Sequence, residues 1–152
     1  MKNFSRYVVI LLVICFASAA WAAPDKGVTI RSNSLQIQEK KGDIRFEGDV
    51  EVRMDMIVLS CDLLTVHADD ADPSRIVSGM ATGNVIMTRG SDRVEAREAM
   101  FDLEAGKVEL TGVPRLTREE TTIQAEKIVY SIEEGTASFQ GPVRALFKAP
   151  EN

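Results

Sequence analysis

From residue 24 on, apolar and polar positions recur on a beat of 29 residues. Small residues stand at Ser32, Cys61, Ala96 and Ala125, and glycines at Gly48, Gly83, Gly112 and Gly141. The small residues are 29, 35 and 29 positions apart and the glycines 35, 29 and 29, so one six-residue insertion within 68–78 accounts for both long intervals. Two positions before the small residue lie Ile30, Leu59, Val94 and Ile123; five after it lie Ile37, Val66, Phe101 and Tyr130. Around the glycines, the unit that contains Gly48 places Ile44, Phe46, Val50 and Val52 at offsets −4, −2, +2 and +4. Val85 and Met87, Val108 and Leu110, and Phe139 and Val143 fall on the same offsets in the other units. That is a period of two, the period of a strand with one buried face. Charged residues fill the alternate positions, as in Asp43, Arg45, Glu47, Asp49, Glu51 and Arg53. The alternation predicts antiparallel sheet with a wet outside and an apolar inside.

A glycine within a strand marks a bulge, a bend or a close backbone approach. Turn signals such as Glu104-Ala105-Gly106-Lys107 and Glu133-Glu134-Gly135-Thr136 separate the halves of each unit. Each unit is therefore expected to hold at least two strands bent about its glycine. Four stacked units build two facing sheets of about eight strands each, on the order of 40 Å long at roughly 4.8 Å per strand. A repeat of this size points to stacked supersecondary units, with function on the surface they share. The end units would present open strand edges, suited to pairing with another sheet.

The amino-terminal segment breaks the pattern. Lys2 and Arg6 precede an apolar stretch, Val8 to Phe16, and Ala20-Trp21-Ala22 is a small-x-small cleavage site. Residues 1–22 are read as a signal peptide, 23–148 as one β domain and 149–152 as a short tail. An uncleaved membrane anchor is the alternative, although the stretch is short of the about 20 residues a spanning helix needs. Removing Lys2 and Arg6 lowers the basic residues from 18 to 16 against 23 acids, and the formal charge from −5 to −7. That excess of acid argues against nucleic-acid binding, which rests on phosphate neutralisation. Only Cys61 remains in the domain, which precludes an intramolecular disulfide there.

Catalytic chemistry finds little purchase. His67, the one histidine, falls out of phase with the inward positions and reads as a solvated strand-end residue. Cys61 occupies the slot of Ser32, Ala96 and Ala125, so it reads as a small buried residue rather than a nucleophile. Asp69, Asp70 and Asp72 lack the glycine and terminal glutamate of a calcium loop. Neither an enzyme activity, a metal nor a cofactor is expected.

The blocks Ile44-Arg45-Phe46-Glu47-Gly48-Asp49-Val50-Glu51-Val52, Ala81-Thr82-Gly83-Asn84-Val85-Ile86-Met87 and Ile123-Gln124-Ala125-Glu126-Lys127-Ile128-Val129-Tyr130 resemble the OstA-like repeat of periplasmic lipopolysaccharide-transport proteins. The resemblance covers essentially the whole chain after the leader. It implies an open β-jellyroll of two facing antiparallel sheets whose apolar groove carries lipopolysaccharide acyl chains through the periplasm. It implies end-to-end homo-oligomers, with an LptC-like domain at one end and an LptD-like domain at the other. The inner-groove candidates are Val28, Ile30, Ile44, Phe46, Val50, Val52, Leu59, Val85, Met87, Val94, Phe101, Leu110, Ile128, Tyr130 and Phe139, with Phe101 singled out by its block Ala99-Met100-Phe101-Asp102-Leu103. Two other readings stand beside this one: a structural β-solenoid with a sealed core, and an anchored LptC-type component.

Overall fold

The computed structural model describes residues 27–38 and 42–151. The expected signal peptide, the first residues of the expected domain and part of the turn before Asp43 lie outside the described residues. Within them every regular element is a strand: β1 (Val28–Arg31), β2 (Ser34–Gln38), β3 (Asp43–Met54), β4 (Ile57–Ala68), β5 (Ile76–Arg89), β6 (Asp92–Asp102), β7 (Lys107–Thr111), β8 (Arg115–Arg118), β9 (Thr121–Gln124), β10 (Lys127–Ser131), β11 (Ala137–Gln140) and β12 (Arg144–Leu146). No helix among these residues is long and apolar enough to cross a membrane.

The strands pair antiparallel throughout as one hydrogen-bonded sheet, so the two expected sheets are the folded halves of one. Four long strands, β3 to β6, run through both halves. Register shifts mark the bend between Glu47 and Val50, between Ser60 and Leu63, and between Thr82 and Val85. One layer contains β1, the second half of β3, the first half of β4, the second half of β5, the first half of β6, and β8, β9 and β12. The other contains β2, the complementary halves of β3 to β6, and β7, β10 and β11. Each layer thus has the eight strand segments that the repeat predicts. In the last two units the bend breaks the strand outright, because Pro114 and Pro142 follow the glycine closely and cannot donate to a ladder.

The repeated glycines make the bend. Gly48, Gly83, Gly112 and Gly141 all have φ between +78° and +83°. A β-carbon on each would lie 2.5–2.9 Å from the side chain that follows the repeat's small residue: Asn33, Asp62, Arg97 and Glu126 respectively. The small slot and the glycine slot are therefore two sides of one close approach. The next residue is also left-handed in three units, at Asp49, Asn84 and Val113. Valine is the misfit, since a β-branched side chain tolerates this region poorly. Val113 is 55% exposed, so little packing opposes its replacement. Val113→Asn should stabilise the domain by about 1 kcal/mol and raise the melting temperature by a few degrees; thermal unfolding followed by circular dichroism checks this.

Candidate functional site

The inner surface is built from five ladder rows. Along the rim of the first layer run Val28, Met54, Ile57, Arg89, Asp92, Arg118 and Thr121. Behind them run Ile30, Val52, Leu59, Met87, Val94, Leu116, Ile123 and Ala145. Val50, Cys61, Val85 and Ala96 lie at the bend. The second layer adds Leu35, Phe46, Leu64, Ala81, Ala99, Leu110, Ile128 and Phe139 near the bend. Its rim row is Ile37, Ile44, Val66, Gly79, Phe101, Val108, Tyr130 and Ala137. Every residue nominated from the sequence falls in these rows. Phe46, Val50, Val52, Leu59, Val85, Met87, Val94, Phe101, Leu110, Ile128 and Tyr130 are buried, while Val28, Ile30, Ile44 and Phe139 are partly buried against the same cluster.

The middle of this surface is closed. Leu64, Leu110 and Ile128 are fully covered, and the void beside Phe101 is only about 10 Å³, shared with Val28, Val52, Met54, Ile57 and Leu59 of the opposite layer. Phe101 reaches across because it stands over Gly79: a β-carbon there would run into the ring. An apolar hollow of about 500 Å³ is lined mainly by residues of outward phase, including Leu63, Thr65, Met80 and Met100. A hollow of equal volume beside Arg115, Gln124 and Arg144 is more polar, so the first is the more lipid-like of the two, yet it lies off the face that the repeat pattern marks.

The two layers are staggered. Phe101 on β6 meets β1, β3 and β4, and Tyr130 on β10 meets Arg89 on β5. The β2 end of the second layer therefore overhangs the first, leaving the inward-phase residues Leu35 and Ile37 52% and 65% exposed. At the other end β12 of the first layer is bare: its inward residue Ala145 is exposed, and so is Phe147 just past the strand. Apolar inner face is thus uncovered at both ends, on opposite layers.

The rim holds charges that the candidate set lacks. Arg118 makes a bidentate pair with Asp92, and the guanidinium holds the Asp92 carboxyl below the ordinary carboxylate range. Arg89 crosses from β5 to donate to the Tyr130 hydroxyl at 2.5 Å and the Ile132 carbonyl at 3.2 Å, and it packs on the Tyr130 ring. All three charges sit in inward phase. Carrying the alternation two residues past Met87 and Leu116, and two before Val94, would have found them. Being charged, they fall outside a candidate set chosen for apolar side chains.

Cys61 and His67 lie as their phases predict. Burial, reinforced by the adjacent Asp62 carboxylate, pushes the Cys61 thiol up to about 11 from its ordinary 9.0. The native thiol should resist Ellman's reagent at pH 8 and react at the ordinary rate once denatured. The unfolded thiol ionises first as pH rises past 9.0, so folding stability falls between there and about 11. His67 faces outward, with Nδ1 3.0 Å from Asp43. Among the described residues no group of three His, Cys, Asp or Glu converges on a metal-sized site.

With this geometry in hand, the relatives are informative. The family model described as "LptA/(LptD N-terminal domain) LPS transport protein" matches residues 29–136, most of the chain. The chain belongs to this family. The LptA/LptD N-terminal-domain family comprises non-enzymatic lipopolysaccharide-transport components. Among solved structures, LptH from Pseudomonas aeruginosa, described as the LptA-homologous periplasmic component of the lipopolysaccharide transport device, superposes with a TM-score of 0.69. The match covers 82% of this chain and 96% of LptH at 15% identity, so it speaks to the jellyroll-like fold. No curated protein sequence matches the chain.

Proposed function

We propose that this protein is a periplasmic lipopolysaccharide bridge component that shields acyl chains on its inner face and joins other domains of its kind end to end. The observation that carries the reading is the uncovered inner face: the apolar rows run past the opposing layer at both ends, beside open strand edges. An apolar ladder that continues from one copy into the next forms a trough. Each CH₂ that enters it from water gains about 0.8 kcal/mol. Backbone pairing at the free edges of β1 and β2 and of β11 and β12 supplies the joint. The partners on this reading are lipopolysaccharide, further copies of the chain, an LptC-like domain at one end and an LptD-like domain at the other. The chain's own role is passive, serving outer-membrane assembly.

The fully covered middle favours a second reading, a structural module with a sealed interior. The readings diverge at the exposed end. A photo-crosslinking residue at Ile37 should capture lipopolysaccharide in living cells, whereas one at Gln36, of outward phase on the same strand, should not. Equal labelling at both positions, or at neither, would favour the sealed module. Both positions are exposed, so neither replacement disturbs the core.

A further inference from the structure

Arg89 is the one place where a half-buried guanidinium of the inner face has only neutral acceptors, the Tyr130 hydroxyl and the Ile132 carbonyl. Among the described residues it forms no ion pair. Its ladder neighbour Asp92 lies close enough to feel the Arg89 charge, but both of its oxygens are bonded by the Arg118 fork. The inward rim here carries two arginines and one aspartate. The acids on the facing turns, Glu133 and Glu134 beside Tyr130 and Glu119 beside Arg118, are exposed to solvent. Arg89 also spans the mouth: it starts on β5 of one layer and ends against the β10–β11 turn of the other, where a β-carbon on Gly135 would come 3.0 Å from its Nη1. It ties the layers together directly over apolar ladder rows.

We propose that Arg89 binds the anionic headgroup of an acylated lipid, a phosphate ester above all, and that this binding opens the mouth. The inference rests on the lipid-binding reading above. A guanidinium–phosphate contact is charge-assisted and bidentate, roughly twice as strong as bonds to neutral oxygens. A phosphate at the rim therefore displaces the Tyr130 and Ile132 acceptors. Its acyl chains then lie against Met87, Val108 and Phe101, where the layers part. A free phosphate gains only the polar contact, whereas an amphiphile gains the apolar one as well.

The test uses the processed chain, in which Tyr130 is the only tyrosine if residues 1–22 are removed. Its fluorescence then reports the latch directly. Three probes are titrated: lipid A, lipid A stripped of its phosphates, and inorganic phosphate alone. The wild-type protein should bind the phosphorylated form about tenfold more tightly than the stripped one, with a change in tyrosine emission, and millimolar inorganic phosphate should displace neither. Arg89→Gln should erase the preference. Arg89→Lys should keep part of it, and Tyr130→Phe, which has no tyrosine left and is followed by titration calorimetry, should keep all of it while tightening binding of both lipids. A preference that survives in Arg89→Gln would reduce Arg89 to a structural tie, and Arg89→Lys decides the matter should the glutamine variant fail to fold. Equal binding of both lipids by the wild type would overturn the headgroup site and leave the lipid-binding reading standing. Displacement by inorganic phosphate would also overturn it, in favour of a free-anion site. Failure of every protein to bind either lipid would sink both readings together.

Discussion

Leu110→Asp is expected to abolish cooperative unfolding altogether. Leu110 lies between Ala99 and Ile128 in the bend-side row, and all three are fully covered. Removing the leucine's apolar contacts alone costs about 2–5 kcal/mol. Introducing a carboxylate adds the cost of burying a charge without a partner, since the ladder neighbours Ala99 and Ile128 and the adjacent Val108 are all apolar. The combined penalty matches the about 5–15 kcal/mol that holds a typical domain together. Leu110→Met, which conserves volume, should cost less than about 1.5 kcal/mol. Urea unfolding followed by circular dichroism separates the outcomes. If Leu110→Asp retained a sharp transition near the wild-type midpoint, the middle of the interior would have to be wet in the native protein.

The second large effect concerns the bend. Gly112→Ala should destabilise the domain by about 3 kcal/mol, although it adds a single methyl group. Part of that is the left-handed backbone at φ +80°, which costs an L-residue roughly 1–2 kcal/mol. The rest is steric: the new methyl would sit 2.5 Å from Cβ of Arg97, an atom fixed to the backbone of β6 that has no rotamer by which to escape. Combining Gly112→Ala with Arg97→Gly separates the terms, because the double variant should recover the steric part and retain the dihedral part. Recovery of the whole loss would mean that the backbone conformation at Gly112 carries no strain. A single change at one repeat should not unfold the others, since the remaining three glycines still bend their own strands.

Much of this architecture could be read from the chain. The alternation placed Ile44, Phe46, Val50 and Val52 on one face, and β3 carries all four inward as expected. The glycine beat located the bend at Gly48 and Gly83, and the small-residue slot kept Cys61 buried and inert. Three features were beyond reach, each for a physical reason. Periodicity assigns faces but not the stagger between layers, so the exposure of Leu35 and Ile37 at the overhang came only with the fold. A polar residue next to a turn signal reads as solvent-facing, which hid Arg89 behind Gly90 and Asp92 in front of β6. The partner of each bend glycine is its unit's Asn33, Asp62, Arg97 or Glu126, and these side chains share no chemistry that a sequence pattern would pick out. The candidate set also drew no line between positions near the bend, such as Leu110 and Ile128, and rim positions such as Phe101 and Tyr130. The fold separates them by place: Leu110 and Ile128 lie in the row beside the bend, Phe101 and Tyr130 in the row along the rim, and all four are buried.

The inner face is proposed to hold acylated lipid. The most direct test is native mass spectrometry of the processed chain purified from a Gram-negative cell envelope without detergent. The account predicts a bound population heavier by the mass of lipopolysaccharide or its acylated core, diminished when Ile37 and Leu35 are replaced by glutamate. A protein that carries only its own mass, and takes up no added lipopolysaccharide while its fold is intact, would contradict it.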